Sequence, residues 1–362
     1  MKCCPQCFKD RIARELVGNL ASSVPGICDL CGVERDRLLT IARESELSEQ
    51  FFDLLSVFSP ASGEMNSYDS LFDAFGDTWN VFEGIAHTSF DELIECMFSD
   101  DERIKGLLTG AVRLDPSPDP NDAYLLSFFG EKDWHDFSSE IKHIHRYHAE
   151  IHERGILKRI LYSLEKKIDS EGPYWYRARI WNDVKDDLEI TALKEPPPEK
   201  SSEGRMSPRG VPCLYISNDV EGAMAEIRAS RYDEVAVMTM KPLRDLRILD
   251  LSRVDEISPF DENVDCRELA SNLKSLRQIK DALVKPMRAT DDCIEYIPTQ
   301  YIADFARSIG FDGIGYDSVL HERGGRPSYN IASFTGFDGA FECEEIAVYR
   351  VVGSRFEVER FF

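Results

Sequence analysis

The chain predicts an α+β fold in two parts: a mainly helical first part with a small four-cysteine site, then short strands with unevenly spaced helices. Three observations predict this. Apolar residues recur at helical spacing through much of the first 170 residues, and short runs rich in β-branched and aromatic residues follow them. Two Cys-x-x-C knuckles stand within the first 31 residues.

Cys4-Pro5-Gln6-Cys7 and Cys28-Asp29-Leu30-Cys31 are separated by 20 residues, a four-cysteine zinc pattern. Each knuckle lets two thiolates meet one tetrahedral ion, and Gly32 permits the tight turn behind the second. Four protein ligands leave no open position, so the expected ion is a structural zinc. Cys3 competes with Cys4 for the first place.

Residues 34–58 place Leu38, Leu39, Ile41, Leu47, Phe51, Phe52, Leu54 and Leu55 at helical spacing. Residues 61–133 alternate amphipathic pieces with turns, broken clearly at Asp115-Pro116-Ser117-Pro118-Asp119-Pro120-Asn121. One long helical pattern runs from about Trp134 to Ile168 and stops at Ser170-Glu171-Gly172-Pro173. These breaks divide the chain into a knuckle with its first helices (1–60), a helical domain (61–170) and a mixed domain (171–362).

In the mixed domain, Pro212–Ser217, Glu234–Lys241 and Arg247–Leu251 read as strands, with a helix over Val220–Ser230. Cys266–Lys285 and Tyr296–Ile309 read as helices; Gly313–Tyr316, Tyr329–Phe334 and Glu345–Val352 read as strands. The polar loop Lys194–Arg209, with Pro196, Pro197 and Pro198, is long enough to suggest a functional loop that orders over a ligand.

The formal charge of -23 argues against a general nucleic-acid binder, which needs concentrated Lys and Arg. It leaves room for a small anion, because salt screens charges beyond roughly 10 Å. No run of about 18 apolar residues occurs, and the start lacks the apolar segment of a signal peptide. No membrane span and a cytoplasmic location are the expectations.

His143, His145, His148 and His152 cluster on the long helical pattern, three of them at spacings of three and four. A polar helix face explains them better than a metal site. Arg146 and His152 resemble, loosely, the Arg–His signature of HEPN ribonucleases. On a straight helix they stand on different faces, so a structural HEPN-like domain is the reading.

Arg205, Tyr215 and Glu226 follow at intervals of 10 and 11 residues, across a loop, a strand and the next helix. A guanidinium pairs with phosphate, an aromatic ring stacks on a base, and a carboxylate stabilises an oxocarbenium ion. Those are the requirements for cleaving the glycosidic bond of a charged nucleotide. Each residue also has a plainer reading, as turn, core and surface respectively.

With Tyr176-Arg177-Ala178-Arg179, Gly204-Arg205, Thr299-Gln300, Gly313-Ile314-Gly315-Tyr316-Asp317-Ser318 and Asn330, the chain resembles the RES domain, a toxin family named for its Arg, Glu and Ser. The Cys4–Cys31 segment is similar to larger members in which a HEPN-like domain comes first. Ser207 and Asp317 depart from the family's usual residues.

The resemblance implies a fold like the ADP-ribosyltransferase toxins and destruction of NAD by splitting its nicotinamide–ribose bond with water or phosphate. It places the catalytic residues at Arg205, Tyr215, Glu226 and Ser318, with Arg177, Gln300 and Asn330 among the NAD-binding residues. Implied partners are NAD, an antitoxin covering the cleft and a second copy of the chain. The alternatives are transfer of ADP-ribose to a protein, and a zinc-bearing interaction module without activity.

Overall fold

The computed structural model describes residues 1–43, 45–61, 67–117, 119–182, 188–285 and 293–353. The chain divides into two compact units, neither continuous in sequence. The first comprises Met1–Asp133, Glu150–Ser163 and Arg253–Arg277; the second comprises Trp134–Ala149, Leu164–Ser252 and Gln278–Phe362. The structure is α+β, with a helical amino-terminal part and a large sheet in the second unit.

The first unit begins with β1 (Lys2–Cys3), α1 (Arg11–Leu20), β2 (Gly26–Ile27), β3 (Glu34–Arg35) and β4 (Leu39–Thr40). β1 pairs with β4 and β2 with β3, both antiparallel. The helical spacing read over 34–58 therefore becomes a helix only at α2 (Glu46–Leu55), where the Ser45 hydroxyl accepts from the Ser48 N–H. Sheet pairing wins upstream: Leu39 lies opposite Cys3, and Leu38 exchanges backbone hydrogen bonds with Ser22.

Next come β5 (Phe58–Pro60), α3 (Leu71–Trp79), α4 (His87–Phe98), α5 (Glu102–Leu108), β6 (Val112–Leu114) and α6 (Pro120–Leu126). The unit's core is aromatic. Phe75 stacks on Phe51 at 5.7 Å and packs on Phe90 at 5.2 Å, all three fully buried or nearly so. Burial of each such ring stabilises the unit by about 1.5–3 kcal/mol.

The single helix expected over Trp134–Ile168 is instead α7 (Trp134–His143), α8 (Arg154–Ser163) and strand β7 (Glu165–Ile168). His145 closes α7 by donating its N–H to the Glu140 carbonyl, one residue beyond the helical repeat. In the gap that follows, the ring of His152 lies close against Gly130. The expected histidine face does not form. Arg146 and His152 also fall outside helices, so no helix carries that pair.

The second unit is built on one sheet in the order β14-β10-β8-β9-β13-β12-β11-β7. Its remaining strands are β8 (Trp175–Ile180), β9 (Leu214–Ser217), β10 (Glu234–Pro242), β11 (Leu246–Asp250), β12 (Gly313–Arg323), β13 (Arg326–Ser333) and β14 (Phe341–Arg350). β11 and β12 are parallel, and the other neighbours are antiparallel. β7 and β8 had no strand reading in sequence; the alternation in Trp175–Ile180 is interrupted by two arginines.

Three helices accompany the sheet: α9 (Val220–Glu226), α10 (Cys266–Val284) and α11 (Ile297–Ser308). α10 contributes residues through Arg277 to the first unit and the rest to the second. α9 starts with the Asp219 carboxylate accepting from the Gly222 N–H and ends at Glu226, four residues short of the expected Ser230. Arg228 stops it by adopting a left-handed φ of 54°. Gly222 lets α9 lie close on the sheet, since a Cβ there would come within 2.6 Å of the Ser217 hydroxyl. Among the described residues no helix is long and apolar enough to cross a membrane.

Candidate active site

Small residues on α9 bring its last residue over the middle of the sheet. Ala223 packs with Ala178, Val235 and Val237, which leaves Glu226 at the edge of a cavity of about 360 Å³. Arg177 from β8, Arg205 from the long loop, Tyr215 from β9 and Tyr316 from β12 line the same cavity. Leu283 and Val284 at the end of α10 form part of its wall.

Glu226 is held from behind. Its Oε1 accepts from Ser318 Oγ at 3.2 Å and from Asn330 Nδ2 at 2.6 Å. Ser318 and Asn330 are buried, at 5% and 1% exposure, and neither belongs to the cavity lining. Burial raises the Glu226 pKa above the ordinary carboxylate value; the two hydrogen bonds and the charges of Arg205 and Arg228 oppose that. Seven predicted residues thus separate by role. Arg177, Arg205, Tyr215 and Glu226 line the cavity, while Ser318, Asn330 and Gln300 support the residues that do.

Gln300 is the clearest case. From the first turn of α11 its Nε2 donates to the Gly204 carbonyl at 2.8 Å and to the Ser207 carbonyl at 3.4 Å. Thr299 beside it donates to the Arg205 carbonyl at 2.8 Å. The Gly204–Ser207 turn is closed by its own reciprocal backbone bonds. Glycine is required at its start, because a Cβ on Gly204 would lie 2.8 Å from the Tyr215 hydroxyl oxygen. The guanidinium of Arg205 donates to the Leu283 carbonyl at 2.7 Å.

Arg177 donates from Nη1 to the Tyr215 carbonyl at 2.9 Å, and its buried Nε–H has no protein partner. Burial pushes its pKa below the usual guanidinium value, so an anion in the cavity would relieve the cost of that charge. Burial pushes the phenols of Tyr215 and Tyr316 upward, leaving both as neutral hydrogen-bond donors at neutral pH. Tyr316 was missed as a site residue, although it stands two positions before Ser318 on β12. It pairs in register with Asn330.

The knuckle cysteines also meet. Cys4 Sγ lies 3.5 Å from Cys7 Sγ and 3.8 Å from Cys31 Sγ, and Cys7 Sγ lies 3.6 Å from Cys28 Sγ. Four thiolates at about 2.3 Å from a tetrahedral zinc stand roughly 3.8 Å apart, so these sulfurs fit such an ion. Gly32 adopts the left-handed φ of 69° that the second knuckle needs. Cys3 is buried in β1 outside this cluster. A second group that could hold a cation is Asp219, Glu221 and His321, where His321 Nδ1 also meets Ser328 Oγ at 2.7 Å.

A buried guanidinium, a second arginine on a buttressed turn, two neutral phenols and one braced carboxylate thus surround one cleft. The chain carries a RES domain: residues 175–352 match that family's model. A solved structure similar to the chain is the crystal structure of the M. tuberculosis MbcT–MbcA toxin–antitoxin complex. It is 14% identical, covering 54% of this chain and 92% of that chain, with a TM-score of 0.30, a likeness too slight to transfer function. No curated protein matches the chain.

Proposed function

We propose that the protein consumes NAD by cleaving its nicotinamide–ribose bond, with water or phosphate as acceptor, and acts as a growth-arresting toxin restrained by an antitoxin. The observation that supports this most is Glu226, a carboxylate braced by Ser318 and Asn330 in a cavity lined by Arg177 and Arg205. Departure of nicotinamide as a neutral ring leaves positive charge on the ribose C1 and O4. A carboxylate beside it gains attraction only as that charge develops, so it lowers the barrier more than it tightens substrate binding. Arg205 and Arg177 then hold the diphosphate, and Tyr215 and Tyr316 supply aromatic faces and donors to the nicotinamide half.

With water the products are ADP-ribose, nicotinamide and a proton; with phosphate they are ADP-ribose 1″-phosphate, nicotinamide and a proton. Adenine-labelled NAD, incubated with and without phosphate, separates these outcomes from label fixed on a polypeptide, the sign of ADP-ribose transfer to protein. NAD that stays intact and unbound supports instead an interaction module without activity. The four-cysteine cluster is proposed to hold one structural zinc, which would tie the first turns of the chain together without taking part in the reaction.

Gln300 acts in this account through the Arg205 turn. Gln300→Ala is expected to raise KM for NAD about tenfold with a smaller change in kcat, because it loosens an arginine that binds the diphosphate throughout. Steady-state kinetics with a melting curve checks it. Equal loss of kcat and kcat/KM, with KM unmoved, would count against a diphosphate role for Arg205.

A further inference from the structure

We propose that a second cavity, between α7 and the start of α11, binds the adenosine half of the dinucleotide; this rests on the NAD reading above. The cavity measures about 530 Å³ and belongs wholly to the second unit. Trp134, Ser138 and Lys142 line it from α7 at four-residue spacing, on one face of the helix. Lys285, Tyr296 and Thr299 line it from the other side.

Three observations connect it to the first cavity. Tyr296 lines both. Thr299 lines the second and donates to the backbone carbonyl of Arg205, which lines the first. Leu283 and Val284 at the end of α10 line the first, and Ala282 of α10 with Lys285 just beyond it lines the second. A diphosphate at Arg205 therefore stands at the junction, with room on either side.

Size points the same way. At about 360 Å³ the first cavity lies near the lower end of the ~300–1,000 Å³ range of small-molecule clefts, enough for nicotinamide riboside but small for a whole dinucleotide. The second supplies what the remaining half needs. Ser138 Oγ is buried with no protein partner, an unmade hydrogen bond that a ligand's polar edge would complete. Lys142, its side chain only 16% exposed, pairs with Glu295 at 3.1 Å, and Lys285 adds a second positive charge in a strongly acidic chain. Trp134 gives the wall an aromatic surface for a purine. α7 lies outside residues 175–352, so this subsite would be an addition of this chain to its RES domain.

Adenosine monophosphate is the direct probe, with binding measured by calorimetry on the full chain. It is expected to bind the wild type and Glu226→Gln alike, and to bind Ser138→Leu about tenfold more weakly through the lost hydrogen bond and filled space. In parallel, the preference for NAD over nicotinamide mononucleotide, as a ratio of kcat/KM values, is expected to fall about tenfold in Ser138→Leu. Lys142→Met, close in volume, serves if the first variant fails to fold. Absence of adenosine monophosphate binding, or binding that both variants leave unchanged, overturns the subsite even where NAD is turned over. Binding that depends on Ser138 in a protein that leaves NAD intact keeps the subsite and removes the reaction.

Discussion

Glu226→Gln is expected to lower NAD turnover by about 10²–10³-fold while the protein stays folded, the loss typical when one electrostatic stabiliser of a transition state is removed. The amide keeps the shape, and its oxygen can still accept from Ser318 and Asn330. What disappears is the negative charge. Because burial raises the Glu226 pKa, the carboxylate is disfavoured in the folded protein relative to the unfolded chain. Between the unfolded value near 4.5 and the higher folded one, the native state holds a proton the unfolded state releases, so this group's contribution to stability falls as pH rises. The Gln variant carries no such penalty at neutral pH, and its melting temperature is expected to equal or exceed that of the wild type.

The same shift sets the pH profile. Turnover needs the ionised form, so kcat/KM is expected to fall on the acid side through a pKa above 4.5, a limb that the Gln variant lacks. Rate profiles of both proteins, with thermal melts, check the pair of expectations. A Gln variant with wild-type turnover would remove Glu226 from the chemistry.

The second large effect concerns the four cysteines. Zinc-finger peptides at neutral pH draw about 10–16 kcal/mol from their metal, enough to decide whether a short segment folds. Cys31 is only partly buried, so Cys31→Ser removes a ligand with little loss of packing. It is expected to abolish stoichiometric zinc and to unfold the short segment that the metal ties together, read as a separate low-temperature transition ahead of the main melt. Cys3→Ser is the control: buried but outside the cluster, it is expected to keep one zinc per chain. Elemental analysis and calorimetry measure both, and a wild type purified without metal and unmoved by chelation would oppose the zinc.

Local chemistry was the legible part. The knuckles could be read because each pair lies three residues apart and the turn glycine follows. Arg205, Tyr215 and Glu226 could be read because loop, strand and helix follow one another within 22 residues. The braces around them could not. Asn330 meets Glu226 across 104 residues of chain, and Gln300 meets Gly204 across 96, separations that only the folded chain reveals. Both were expected at the ligand, yet they hold the side chain and the turn that line the cavity.

Elsewhere the periodic signal was real but cut short. The apolar spacing through Trp134–Ile168 persists across a break at His143, because α7 and α8 each bury a stripe in their own unit. β8 was hidden by Arg177 and Arg179, charges that a strand tolerates here because Arg177 lines a cleft and Arg179 bonds the Ala192 carbonyl. The lining role of α10 was equally invisible, since Leu283 and Val284 look like the end of any amphipathic helix.

Nicotinamide release from NAD by the purified chain tests the central claim most directly, followed by proton NMR with enzyme far below substrate. The account predicts free nicotinamide appearing in step with NAD loss, over many turnovers, and its near disappearance in Glu226→Gln. NAD that remains intact beside a folded, zinc-loaded wild-type protein would contradict it.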